Sequence, residues 1–122
     1  LEILGDGKQE KSYLHVKETI RATLYAFDWF INSNKNFEVF NVGSEDRISV
    51  VEIAKIIINE MKLDNVKFKF KIDLPDGRGW IGDVKVMQLD ISKLKSIGFE
   101  PKLNSYESVK LAVKEILEDK YL

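Results

Sequence analysis

Gln9, Lys11, Tyr13 and His15 set an amide, a cation, a phenol and an imidazole at every second position. In extended backbone that spacing puts all four on one face, with Glu10, Ser12, Leu14 and Val16 on the other. Such a face can donate hydrogen bonds to an anion or a polar ligand, and it equally suits a solvated strand beside a core. A second cluster lies at Asp76-Gly77-Arg78-Gly79-Trp80-Ile81-Gly82-Asp83, where a guanidinium, an indole and two carboxylates stand among three glycines. Charge-assisted hydrogen bonds to phosphate or hydroxyl groups are the chemistry these side chains offer.

Two familiar patterns are present and rejected. Gly77-Arg78-Gly79-Trp80-Ile81-Gly82 spells G-x-G-x-x-G. That fingerprint works when its glycines join a strand to the N-terminus of a helix whose amides meet a pyrophosphate. Here Val84 to Leu89 alternates like a strand or extended loop, so the match is accidental. Tyr13 and Lys17 spell Y-x-x-x-K, a catalytic pair only when both lie on one helical face. Tyr13 falls in a predicted strand, where residues four apart are separated by about 13 Å.

The elements that must position these clusters follow from turns and periodicity. Gly5-Asp6-Gly7 favours a tight reversal, since glycine takes positive φ at little cost, and the flanks 1–4 and 9–16 are predicted to pair as a β-hairpin. Val16, Ile20, Leu24, Phe27 and Ile31 recur at helical spacing, with Thr23 and Phe30 beside them on that face, and predict a helix over 17–32. The near-continuous apolar run 37–42 suits a strand buried on both faces of a parallel sheet. The chain has too few other strands to surround it, so it is either an edge strand or a strand whose neighbours lie elsewhere.

Ser49-Val50-Val51-Glu52 reads as a capping box opening a well-buried helix to about Lys62. Residues 66–72 alternate strictly, with Lys67, Lys69 and Lys71 forming a solvated face that guards a sheet edge. Asp90 caps a short helix carrying Ile91, Leu94 and Ile97, stopped by Gly98. A last helix is expected from about Ser105 to Asp119, with Val109, Ala112, Val113, Ile116 and Leu117 inward. No repeat or low-complexity linker interrupts the chain.

Bulk properties remove several function classes. The 122 residues suffice for one domain with a core. A formal net charge of −1 gives no general attraction to nucleic acid or to a membrane surface. Without cysteine there is no disulfide framework or thiolate, and a single histidine argues against a closed zinc site. No run approaches the roughly 20 apolar residues of a membrane span, and no signal peptide is visible. A reducing, cytoplasmic setting is the default expectation. The chain begins at Leu1, inside an apolar strand and without methionine, which reads as a piece of something longer.

The polar face now acquires a family context. The run Gly5-Asp6-Gly7-x-Gln9-x-Lys11-x-Tyr13-x-His15-Val16 resembles the substrate-domain hairpin of extended short-chain dehydrogenases/reductases, the NAD-dependent nucleotide-sugar epimerases and dehydratases. Phe40-Asn41-Val42-Gly43-Ser44 followed by Ile48-Ser49-Val50-Val51-Glu52-Ile53-Ala54 is similar to that family's next strand, turn and helix. Arg78-Gly79-Trp80-x-Gly82-Asp83 resembles its Arg-x-Gly-Asp loop in an archaeal form. Asp90-x-x-Lys93-x-x-x-Ile97-Gly98-Phe99-x-Pro101 resembles a segment near its C-terminus. Their order covers essentially the whole chain.

The resemblance implies an α/β fold: a small mixed α/β substrate-binding domain with a hairpin, over residues 1–122, plus a helix and a strand that complete a Rossmann sheet in the parent enzyme. It implies that NAD and the catalytic Tyr, Lys and Ser/Thr belong to an N-terminal domain absent here, so this piece alone holds no cofactor and is inactive. In the parent, hydride passes from sugar C4 to NAD. The implied partner is a nucleotide-sugar, UDP- or dTDP-hexose, and the implied parent assembly is a homodimer.

Carried over by position, Lys11 stands at an Arg that contacts the substrate diphosphate, and Arg78 is the candidate for a second phosphate-binding Arg. Arg78 falls two residues early for the strict spacing, and Trp80 occupies that counterpart. Asp83 matches a ribose-binding Asp, and Leu4 lies where the family sets an apolar side chain against the base. Ser12 replaces a frequent Asp and Glu18 stands at a usual Asp. Read without the resemblance, Lys11 is a solvated cation, Arg78 a loop residue paired with Asp76 or Asp83, and Asp83 a turn residue. On the same terms His15 is a packed residue with no acid to orient it, and Trp80 is core. Within the family UDP-glucose 4-epimerase is the first reading and dTDP-glucose 4,6-dehydratase the second; a non-catalytic interaction module using the lysine-rich strand is the rival.

Overall fold

A computed structural model describes residues 1–118. In chain order it contains β1 (Glu2–Leu4), β2 (Glu10–Lys11), α1 (Val16–Ile31), β3 (Ile48–Ser49), α2 (Val50–Glu60), β4 (Lys69–Lys71), β5 (Val86–Met87), α3 (Ser92–Ser96) and α4 (Ser105–Leu117). The result is a small mixed α/β fold with four helices and two short sheets. The expected end of the last helix at Asp119 lies outside the described residues.

The predicted hairpin does not form as a ladder. Strand β1 pairs in parallel with β4, Ile3 opposite Phe70, while β2 lies between β3 (antiparallel) and β5 (parallel). The Gly-Asp-Gly reversal is nevertheless present, with Gly5 at φ +80° and Gly7 at φ +73°. Its backbone donors are spent on distant segments: Gly5 N–H donates to Lys71 O (2.8 Å) and Asp6 N–H to Gly77 O (2.9 Å). A Cβ on Gly5 would stand 2.4 Å from both Gly77 O and Gln9 Nε2, so the close approach requires glycine. The reversal thus sends its two arms into different sheets.

Helix starts follow local chemistry. Ser49 and Glu52 form the expected capping box on α2, and Asn104 with Glu107 form a second one on α4. At α3 the cap position is Ile91 and not the expected Asp90, which lies one residue outside and accepts from Ser92 N–H on Oδ1 (2.8 Å). The cap of α1 is His15, whose Nδ1 accepts from Lys17 N–H (3.2 Å).

Burial departs from the periodicity in an informative way. The stripe Val16, Ile20, Leu24, Phe27 and Ile31 lies on the open side of α1, each residue being between 51% and 59% exposed. The buried positions of α1 are Glu18 and Ala22. Ala22 joins Leu94 and Phe99 in the main cluster, with Ala26, Phe40, Val42 and Ile97 packed around it. On α2 only Ala54 and Ile56 are fully buried, and on α4 Ile116 and Leu117 are exposed. Residues 37–42 form no ladder among the described residues, and Phe37 and Val39 are exposed.

Glu18 is held inside by compensation. Its carboxylate accepts from Arg21 Nε (3.1 Å) and Nη2 (2.6 Å) and from Lys102 N–H (2.8 Å). The Arg21 hydrogen bonds lead in holding its pKa below the ordinary glutamate value, against the cost of burial. The Arg21 guanidinium in turn lies 4.3 Å over the Phe99 ring.

Candidate functional site

Strand β2 and the loop 78–83 meet at Asp83. Its carboxylate is buried, the side chain being 2% exposed, and is satisfied on both oxygens. Lys11 Nζ donates to Oδ1 (2.8 Å); Gly79 N–H (3.1 Å) and Gln9 Nε2 (3.3 Å) donate to Oδ2. Burial pushes the Asp83 pKa up, but the Lys11, Gly79 and Gln9 hydrogen bonds outweigh it and the carboxyl titrates below its usual value. Gln9 also donates to Leu4 O (3.0 Å), so this buried amide ties β1, β2 and the loop together.

A cavity of about 360 Å³ opens beside this knot. Leu4, Lys11 and Asp83 line it together, as do Gln9, Tyr13 and Trp80. Its remaining wall is mostly apolar, from Leu1, Ile3 and the Val50, Ile53, Ala54 and Ile57 face of α2, with the acidic Glu2 beside them. Lys11 Nζ lies 5.5 Å from the Trp80 ring centroid, so the cation is set between a carboxylate and an indole. The arrangement offers one cation, held by Asp83, at the edge of a mainly apolar trough that also carries Glu2.

Of the four residues singled out from the sequence, Leu4, Lys11 and Asp83 share this cavity and Arg78 does not line it. Arg78 braces its own loop: Nε donates to Asp76 Oδ2 (2.6 Å), and Nη1 to Ile81 O (2.9 Å). Lys85 also reaches this loop through Asp76 O and pairs with Asp6 at 3.5 Å. Trp80 is not core; it is 55% exposed.

Gln9 and the α2 face were not legible as site residues. Gln9 shares a strand face with Lys11, which is a signal, but an amide at a strand position is ambiguous until its partners are known. Ile53 and Ile57 read as core because the apolar stripe does not reveal that they line a cavity.

His15 leaves the shared face at the start of α1. It is packed, as the residue-level reading expects, yet an acid does orient it: Nε2 lies 2.9 Å from Glu115 Oε2 of α4. With Nδ1 accepting from the helix backbone, Nε2 is the donor. Lys17 Nζ reaches the other oxygen of Glu115 and Tyr13 N–H donates to Ser105 Oγ (3.0 Å), so the Y-x-x-x-K residues are tied to α4 and form no helical pair. The glycines at 77, 79 and 82 precede β5 and not a helix, so they present no helix N-terminus to a dinucleotide. Among the described residues no cluster of His, Asp and Glu could hold a metal ion, and no helix is long and apolar enough to cross a membrane.

No family model matches the chain. A curated relative in Methanocaldococcus jannaschii, described as a putative UDP-glucose 4-epimerase, is 31% identical over 111 residues, covering 91% of this chain and 32% of its own length. A crystal structure of a UDP-galactose 4-epimerase superposes with a TM-score of 0.77 at 30% identity, covering 99% of this chain and 36% of its own. UDP-glucose 4-epimerase from Thermotoga maritima, solved with UDP-glucose, gives 0.74 at 29%, covering 98% and 35%. The chain therefore spans about a third of the length of these relatives. Other relatives are described as decarboxylases and dehydratases acting on nucleotide-sugars, and several more distant proteins sharing the fold were solved with NAD bound. By sequence and fold together, the chain corresponds to the C-terminal part of the NAD-dependent epimerase/dehydratase family, the extended short-chain dehydrogenases/reductases.

Proposed function

We propose that residues 1–122 form the substrate-binding domain of an NAD-dependent nucleotide-sugar epimerase or dehydratase and grip the nucleotide of the substrate. Convergence of Leu4, Lys11 and Asp83 on one cavity is the observation that carries this reading. Lys11 supplies charge for a diphosphate as a point donor, without the fork of an arginine. Asp83 supplies the carboxylate for ribose hydroxyls, which requires Lys11 to move from its oxygen toward the phosphate. Arg78 is the second phosphate cation, reached by releasing Asp76. Binding at the nucleotide contributes to turnover because remote binding energy orients the reacting sugar carbon.

UDP-glucose 4-epimerase is the specific activity proposed for the whole protein, with dTDP-glucose 4,6-dehydratase the second reading. The three relatives quoted above, which cover 91% to 99% of this chain at 29% to 31% identity, are described as 4-epimerases, one of them as putative. NAD is assigned to the whole protein and not to these residues, whose glycine-rich segment lacks the helix a dinucleotide needs. The exposed stripe on α1 and the unpaired segment 37–42 are the surfaces assigned to contact with the rest of a Rossmann domain. The protein is assigned to the cytoplasm and to a homodimer on the family resemblance.

Calorimetric titration of the chain with UDP and with dTDP tests the binding role. Weak binding that is lost in Lys11→Ala and reduced in Arg78→Ala is expected. No binding of either nucleotide would favour an interaction module built on the lysine-rich strand.

A further inference from the structure

We propose that Trp80 is a stacking platform for the nucleobase of the ligand, and so a specificity-determining residue of the cavity it shares with Lys11. The inference rests on the nucleotide-binding reading above and adds to it which part of the nucleotide the indole holds.

Three observations converge. First, Trp80 is 55% exposed although it is the largest side chain on the cavity wall, and the loop holds it in place. Asp83 N–H donates to Trp80 O (3.0 Å), closing a turn anchored by the buried Asp83 carboxylate. At Gly82 an added Cβ would meet the indole Nε1 at 3.5 Å and Cδ1 at 3.6 Å, so the ring lies against the turn. Second, the cavity combines the indole with apolar side chains, Leu4, Ile53 and Ile57 among them. A planar aromatic ring matches that lining better than a hexose whose hydroxyls would each lose water. Third, Lys11 Nζ lies over the indole, 5.5 Å from its centroid, so a cation and an aromatic ring are adjacent on the same wall. A base with an attached phosphate presents a flat ring and an adjacent negative charge in the same order.

Gln9 adds an unused acceptor to that wall. Its Oε1 is buried with no hydrogen-bond partner, while its Nε2 is committed to Leu4 O and Asp83. A buried amide oxygen without a partner is costly, and a ring N–H is a suitable donor for it.

The test is equilibrium binding by the intact protein of UDP, uridine, inorganic pyrophosphate and glucose 1-phosphate, with tryptophan emission read in a W29F background so that only Trp80 reports. UDP and uridine are expected to quench the emission, and the two base-free ligands are not. W80A is expected to weaken UDP about tenfold, the scale of one lost base stack, and to change pyrophosphate less than about twofold; W80F is expected to retain most of the affinity. The proposal is overturned if W80A binds UDP like the parent sequence. Equal losses for UDP and pyrophosphate would also overturn it, by making Trp80 only a prop for Lys11. Quenching by glucose 1-phosphate but not uridine would move the stack to the sugar and overturn it too. If the unsubstituted protein binds no UDP, the nucleotide reading itself falls and this inference with it; that arm tells the two failures apart.

Discussion

Lys11 Nζ donates to Asp83 Oδ1 at 2.8 Å, joining a strand near the start of the chain to a loop 72 positions later. The two residues assigned to opposite parts of a nucleotide are therefore each other's partners. Lys11 remains partly open to solvent, whereas Asp83 is enclosed. The carboxylate is thus the anchor of the pair and the ammonium its mobile member.

Asp83→Ala takes the acceptor from the half-buried Gly79 N–H and from one of the two N–H groups of Gln9 Nε2, which keeps Leu4 O, while Lys11 can turn to water. A loss of about 1–3 kcal/mol follows, read from the urea midpoint at constant slope. Lys11→Ala is expected to cost less, since Asp83 keeps two donors. The reverse order of losses would contradict the anchor role.

Acid should act through a small set of carboxylates. Asp83, Asp46 and Glu18 all titrate below their ordinary values of 3.8, 3.8 and 4.5. For Asp83 and Asp46 burial opposes the shift and hydrogen bonds overcome it; for Glu18 the Arg21 bonds lead. A group with a depressed folded pKa stabilises fully above its unfolded value and loses that contribution as pH falls through the folded value. Thermal midpoints are expected to hold down to about pH 5 and to fall below about pH 4. Asp83→Asn should flatten that fall.

Gly5→Ala forces a side chain into left-handed backbone and against Gly77 O, which a Cβ would approach to 2.4 Å. Backbone strain of this kind costs about 1–3 kcal/mol before the clash is added. Ser49→Ala removes only a helix cap and should cost about 1 kcal/mol. Chemical denaturation of the two variants side by side checks the ranking.

Leu24→Glu and Phe27→Lys probe the exposed stripe of α1. Because both side chains are more than half exposed, each change should alter stability by no more than about 0.5 kcal/mol. Both should reduce self-association of this chain measured by sedimentation, since the stripe is an uncovered apolar patch. A large loss of stability would mean that the stripe is internal after all.

Helix existence and helix starts were legible in the sequence because their causes are local. Periodicity found α1, α2 and α4, and Ser49 with Glu52 marked a cap from four consecutive residues. The Gly-Asp-Gly reversal was also legible, since φ is a property of the residue. Its outcome was not: β1 found its partner at β4, far along the chain, and hydrophobic pattern alone does not say which strand pairs with which.

The same division holds for the site. Lys11, Asp83 and Leu4 could be nominated by position from the family resemblance, but their meeting in one cavity is a tertiary fact. Spacing set Arg78 apart, two residues early for the family's loop, but that it braces that loop while Lys11 faces the cavity is read only in space. Glu115 lies 100 residues from His15, so its role as that ring's partner was out of reach of any local pattern. The sequence by itself determined the elements and the polar residues available, because propensity and capping act over a few positions. Only the tertiary structure decided which faces were covered and which charges met, because burial and Coulomb energies depend on distance in space.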